Sequence, residues 1–300
     1  MERGFSKKRR LKFRYSLIVV LIIIIILLIA IINLVKAEKK TEISNEEDKS
    51  EVQKVEEAEE KENDVMIFEV EDIKQTEEQK AEEEKENAEA TGIVFLTFDD
   101  GPSSDSTPQI LDILERRNIK ATFFVLHYSE NNEQYIKREH QQGHTIALHG
   151  YTHNYSEVYK SADTCMENFR KIQEQVYQST GIKSNILRFP GGSSNTISKK
   201  YCQGVMTQVT TRAVNEGFRY FDWNVDSDDA GHAKSSNDIY NNVTSGLKPD
   251  RNNVVLMHDF SGNHKTIEAL DSIIDFGLNN GYVFRKLTDE VPMVTHSVNN

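Results

Sequence analysis

From residue 93 onward, apolar and polar positions alternate between two periods. Residues 93–98 (Ile-Val-Phe-Leu-Thr-Phe) are a run of β-branched and aromatic side chains, closed by Asp99-Asp100-Gly101-Pro102. That pattern predicts a buried strand ending at a sharp turn. Thr107-Pro108 then reads as an N-cap and a first helical residue, and Ile110, Leu111, Ile113 and Leu114 give a helical face up to Arg117. The alternation recurs downstream. Strands are predicted over residues 120–126, 145–148, 185–188, 219–224, 253–257 and 282–285, and helices over 132–142, 162–180, 208–216, 236–247 and 266–279. Gly143, Gly181, Gly217 and Gly281 stand where these helices should stop. Six or seven βα units in series imply parallel strands with helices outside them, as a (β/α) barrel or a doubly wound sheet. In both, a site is built at the carboxyl ends of the strands.

The first 91 residues follow other patterns. Residues 1–14 are basic, and residues 15–35 are almost entirely Leu, Ile and Val with Asn33 as a polar interruption. About twenty apolar residues span a bilayer as a helix, and the flanking charges predict an N-terminus-inside orientation. A secretory signal cleaved near Ala37 is the alternative, although such apolar regions are usually shorter. Residues 36–91 are dominated by Glu and Lys and read as a solvated, partly helical spacer, with Met66, Ile67, Phe68, Val70 and Ile73 as an apolar island. Either reading of the apolar run places a domain over residues 92–289 outside the cytoplasm, followed by a short tail, 290–300. The exported part carries Cys165 and Cys202, which permit one disulfide or two free thiols. With 48 acidic against 36 basic residues, a net charge of −12, and no basic patch among aromatics, a nucleic-acid partner is excluded.

The polar residues at the predicted strand ends carry the chemistry. Asp99-Asp100 come first, then His149 and His153, Arg188, Asp222, and His258-Asp259. Two adjacent carboxylates at the end of a buried strand resist ionising together unless a cation or a proton lies between them. His149 and His153 have an i, i+4 spacing that suits one ion. With one aspartate they make a two-histidine, one-carboxylate set with open positions, the donor set of a hydrolytic metal. Zinc is the default, and iron, cobalt and manganese suit the same donors. The second aspartate of the pair can act as general base, with Arg188 as its partner. His258 can protonate a leaving group, with Asp222 fixing its tautomer. Trp223 and Leu256 line an apolar slot or belong to the core. His127, His140, His144, His232, His264 and His296 read as structural or solvated.

Five stretches together resemble the polysaccharide deacetylases, the NodB-homology domain of carbohydrate esterase family four. They are Thr97-Phe-Asp-Asp-Gly-Pro102, His149-Gly-Tyr-Thr-His153, Arg188-Phe-Pro-Gly-Gly192, Asp222-Trp223 and Leu256-Met-His258. The resemblance implies a distorted (β/α) barrel of seven or eight strands, with Asp99 as base, Asp100, His149 and His153 as metal ligands, and Arg188 orienting the base. It further implies a Gly191 amide facing the oxyanion, His258 as acid with Asp222 beside it, and a pocket at Trp223 and Leu256. The implied activity is removal of N-acetyl groups from a polysaccharide. A membrane tether favours the N-acetylglucosamine of peptidoglycan over chitin, another polysaccharide or acetyl xylan, and over a silent glycan-binding module. One departure stands out. Where the family carries an aromatic residue after the proline, this chain has Gly191, which removes a wall from the sugar groove.

Overall fold

The structure, a computed structural model, describes residues 77–300. The predicted basic terminus, the apolar run 15–35 and most of the spacer lie outside the described residues. Among the described residues no helix is long and apolar enough to cross a membrane. The chain divides into Met1–Glu78 and Gln79–Asn300, and the second unit carries the fold.

In chain order its elements are β1 (Gly92–Asp99), α1 (Ser106–Arg116), β2 (Thr122–Leu126), α2 (Glu133–Gln141), β3 (Thr145–Gly150), α3 (Tyr155–Val158), α4 (Ala162–Thr180) and β4 (Ile186–Leu187). After a 3-10 turn at Ile197–Lys200 come α5 (Val205–Asn215), β5 (Arg219–Tyr220), β6 (Val225–Asp226), α6 (Ser236–Gly246), β7 (Asn252–His258), α7 (His264–Asn279) and β8 (Tyr282–Phe284). The α4 helix has the predicted ends for identifiable reasons. Ser161 and Thr164 form a reciprocal capping box at its start, and Gly181 takes the left-handed conformation at its end. The α1 helix begins at Ser106, one residue before the predicted cap at Thr107. The Thr107 hydroxyl is engaged elsewhere, donating to the Asp259 carboxylate at 2.5 Å.

All strand pairs are parallel, in the order β5-β4-β3-β2-β1-β7-β6, with β8 beside the first half of β1. Among the described residues no ladder joins β5 to β6, so the sheet curls into a half-barrel, which gives the expected distorted (β/α) barrel an open seam. The reason lies in the predicted strand 219–224. Parallel neighbours need a crossover of a dozen or more residues, and only residues 221–224 link β5 to β6. The segment therefore splits. The Phe221 N–H bonds to Leu187 on one edge, and the Asn224 N–H bonds to Val254 on the other.

The seam is dressed by the C-terminal residues, read from the sequence as a tail. Arg219 donates to the Val291 carbonyl at 2.6 Å, and the Asp222 N–H to Val294 at 2.8 Å. Asn300 bonds to Gly204, Thr207 and Ser198 around the start of α5.

Alternation along the strands makes two cores. Val94, Leu96 and Phe98 face the helices, whereas Phe95, Phe124, Ala147, Ile186, Phe221, Val254 and Leu287 fill the inside of the half-barrel. Each buried phenylalanine of the inner core contributes about 1.5–3 kcal/mol. Above that plug the inward face turns polar, at the carboxyl ends of the strands.

Candidate active site

Asp99 and His258 are register partners on neighbouring strands β1 and β7, so their side chains leave the sheet on the same inward face. The next residue breaks that alternation. Asp100 has a φ of +75°, a left-handed conformation that Asp tolerates better than most residues. Opposite, the β2–β3 register slips, pairing Leu126 with Gly150 and leaving His149 without a partner. A bulge of this kind re-aims a side chain. Asn168 of α4 pins the loop that follows: its amide accepts from the Thr152 N–H at 2.9 Å and donates to the Thr152 carbonyl at 3.1 Å.

These local choices bring three predicted ligands together. Asp100, His149 and His153 offer atoms that all lie within 4.8 Å of one another. Asp100 Oδ1 is 3.5 Å from His149 Nε2 and 3.9 Å from His153 Nε2. It is buried and has no hydrogen-bond partner, a costly state that a cation would relieve. His149 Nδ1 lies 2.9 Å from the Arg188 carbonyl, which can only accept, so Nδ1 carries the proton and Nε2 presents a lone pair. Burial lowers the His149 pKa to about 3, so it is neutral and fit to bind a metal. The donor set therefore fits a divalent cation.

Asp99 lies beside this set, with Oδ2 3.8 Å from His149 Nε2. Its other oxygen accepts from Arg188 at 2.6 Å, a single-nitrogen contact rather than a two-nitrogen clamp. Arg188 is fully buried, and its remaining donors reach Thr97 Oγ1 at 2.9 Å and the carbonyls of Phe221 and Asp222 at 2.9 and 3.2 Å. Its guanidinium lies 4.0 Å above the Phe124 ring centre. Burial holds the Asp99 carboxyl above the ordinary carboxylate range, with the charges of Arg188 and His258 opposing.

His258 is oriented by Asp229, not by the predicted Asp222. Asp229 accepts from His258 Nδ1 at 2.7 Å and from the His258 backbone N–H at 2.8 Å. Asn263 and Thr266 donate to the same carboxylate at 2.8 and 2.6 Å. Burial by itself would lower the His258 pKa, but the bond to Asp229 and the charges of Asp229, Asp99 and Asp100 raise it to about 9. Asp222 follows β5, across the seam from β7. Its carboxylate is taken up by Ser193 N at 2.8 Å, by the Ser193 hydroxyl and by His296 N at 2.7 Å, which fastens the 190–195 loop to the C-terminal residues. The sequence signal for Asp229 was weak, because it is one of three acids in Asp226-Ser-Asp-Asp229.

Leu256 sits one pleat below His258 on the inward face. Trp223 lies where a side chain on Gly192 would have to go, packs edge-on to the ring of His296, and donates from Nε1 to Asp226 at 3.0 Å. Asp259 is buried and lies so close to Gly101 that an added Cβ would meet its carboxylate oxygen at 2.0 Å. Burial lifts the Asp259 pKa to about 7. Cys165 and Cys202 are both free thiols.

Gly191 has a φ of +75°, a conformation glycine adopts without penalty. The preceding carbonyl of Pro190 accepts from the buried Tyr159 hydroxyl at 2.7 Å and from Asn195 at 3.3 Å. In a planar trans peptide the N–H points opposite to the carbonyl, so the Gly191 N–H is turned away from Tyr159.

A family model for polysaccharide deacetylase matches residues 86–208. The chain is 34% identical over 206 residues to the Bacillus subtilis protein YheN, covering 65% of this chain and 67% of YheN. It is 33% identical over 193 residues to the peptidoglycan-N-acetylglucosamine deacetylase PgdA of Listeria monocytogenes, covering 64% of this chain and 37% of PgdA. Its fold matches the catalytic domain of a peptidoglycan N-acetylglucosamine deacetylase from Eubacterium rectale with a TM-score of 0.66 and 41% identity, over 69% of this chain and 94% of that one. Sequence, fold and the order of the strand-end residues agree: the chain belongs to the polysaccharide deacetylase family.

Proposed function

We propose that this protein removes acetyl groups from the N-acetylglucosamine residues of peptidoglycan. The observation that carries the reading is the convergence of a buried carboxylate, Asp99, and an oriented imidazole, His258, on neighbouring strand ends beside the Asp100, His149 and His153 cluster. The deacetylase names of the PgdA and Eubacterium rectale relatives support the substrate class.

The residues divide the work of amide hydrolysis. Asp99, raised by burial, takes a proton from the water that attacks the acetamide carbon. As the carbonyl oxygen gains charge, the Gly191 N–H donates to it. His258, protonated up to about pH 9, gives its proton to the sugar nitrogen as the C–N bond breaks, leaving acetate and a free amine. A divalent cation held by Asp100, His149 and His153, zinc by default, would polarise the carbonyl and ease ionisation of the attacking water. Leu256 and Trp223 fit an apolar slot for the acetyl methyl.

The apolar run over residues 15–35 supports a single-span anchor with the domain outside the cytoplasm. Retention of the full-length protein in carbonate-washed membranes tests that placement, and release into the wash counts against it.

Acetate release from purified peptidoglycan strands, chitin oligomers and acetyl xylan, measured in parallel, tests the activity. The expected result is release from peptidoglycan above the others, abolished by a chelator and restored by added zinc. No release from any of the three by zinc-loaded protein would overturn the reading.

A further inference from the structure

An aromatic residue that the mechanism above does not use stands between the second histidine and the Gly191 loop. Tyr155 opens the short helix α3, and its N-cap Asn154 accepts from the Ser156 N–H, which fixes the start of that turn. The Tyr155 ring lies edge-on to His153, with centroids 5.4 Å apart, and leans on Tyr159 at 5.5 Å. These contacts carry its hydroxyl to Gly191, where an added Cβ would lie 2.3 Å from the phenol oxygen. The space that a side chain at residue 191 would fill is thus taken by a hydroxyl from α3. The groove is not bare there, as the sequence alone suggested; its wall comes from a different segment.

That hydroxyl makes no hydrogen bond to another described residue, whereas the neighbouring Tyr159 hydroxyl is tied to the Pro190 carbonyl. A phenol keeps its proton at neutral pH and is free to donate it into a hydrogen bond. The hydroxyl lies against Gly191 on a ring that also touches His153, so an acetamide oxygen bound between the Gly191 N–H and the histidines would come within its reach. We propose that the Tyr155 hydroxyl is a second donor to the substrate acetamide oxygen, acting beside the Gly191 N–H. The assignment rests on the deacetylase reading above. It explains why glycine is suitable at residue 191: any side chain there would collide with the donor.

The test is Tyr155→Phe in the full chain, which keeps the ring and its contact with His153 and removes only the oxygen. Loss of a comparable donor elsewhere costs about 10²–10³ in kcat, and a fall of that order is expected here, with KM nearly unchanged. Melting temperature and bound zinc should equal those of the wild type. With an N-thioacetyl substrate, whose sulfur accepts hydrogen bonds poorly, the gap between wild type and Tyr155→Phe should shrink. Wild-type turnover by Tyr155→Phe would overturn the proposal, more decisively if Tyr155→Ala raises KM, because the ring would then be a wall and nothing more. Loss of zinc or of stability in Tyr155→Phe would also overturn it, in favour of a structural role. An inactive wild type would instead remove the deacetylase reading.

Discussion

Two carboxylate–cation pairs stand at adjacent strand ends, and they are built in opposite senses. At β1 the cation is Arg188, permanently charged, fully buried and held by four acceptors. The group free to change protonation is its partner Asp99, which burial pushes upward. At β7 the fixed partner is the carboxylate. Asp229 is held ionised by His258, Thr266 and Asn263 against the effect of burial, and His258 is the group that titrates. The contrast teaches how one half-barrel holds the proposed base and the proposed acid within one register pair. In each pair the partner with more fixed contacts is the scaffold, and the less constrained one is the group assigned the proton transfer in the proposed mechanism.

The sharpest way to break the comparison is to remove the reacting group on the base side. Asp99→Asn is expected to lower kcat by about 10²–10⁴, the usual contribution of a general base, while binding of a divalent metal persists because Asp100, His149 and His153 are untouched. Metal analysis beside single-turnover kinetics checks both halves. Undiminished turnover would end the assignment of Asp99. Removing the scaffold instead should hurt folding. Arg188→Met leaves the Asp99 carboxylate buried without its ion pair, a loss of about 3–5 kcal/mol. Urea unfolding reads it directly.

On the acid side the same operation should move a pKa more than it harms the fold. Asp229→Asn keeps the shape and removes the charge that raises His258. The sign follows: in the proposed mechanism His258 works protonated, its pKa is raised to about 9, and activity should therefore be lost as pH rises through that value. Without the Asp229 charge the imidazole should fall back toward its ordinary range, and the alkaline limb of kcat/KM should move down by roughly 2 units. A limb that stays near 9 would mean another group supplies the proton.

Much of this was legible in the sequence because the information was local. Apolar runs ending in Asp99-Asp100 and His258 fixed strands, and parallel βα order fixed which ends of those strands meet. What failed needed three-dimensional reach. Asp222 lies near the carboxyl end of the predicted strand 219–224, which makes it the expected partner of His258, but four residues cannot carry a chain across a parallel ladder. The strand split, and the partner became Asp229, in the loop after β6. Asn168 could not be singled out, because nothing in a helical run marks the one amide that reaches back to Thr152. Gly191 leaves a gap in its own segment, and the residue that occupies that space, Tyr155, sits 36 positions earlier, beyond the reach of local pattern.

The smallest effect expected comes from the lip that serves both pairs. Tyr159 donates to the Pro190 carbonyl and so sets which way the Gly191 N–H points. Tyr159→Phe removes that bond while Asn195, at 3.3 Å, still holds the same carbonyl. The loss of stability should be about 0.5–1.5 kcal/mol, the net worth of one hydrogen bond. Turnover should fall only severalfold, because the peptide is loosened rather than reversed. The informative part is the pattern. If base and acid are set by their own scaffolds, Tyr159→Phe must lower kcat without moving either limb of the pH profile. A shifted limb would show that the lip and the titrating pairs are coupled, and the two strand ends would then have to be treated as one unit.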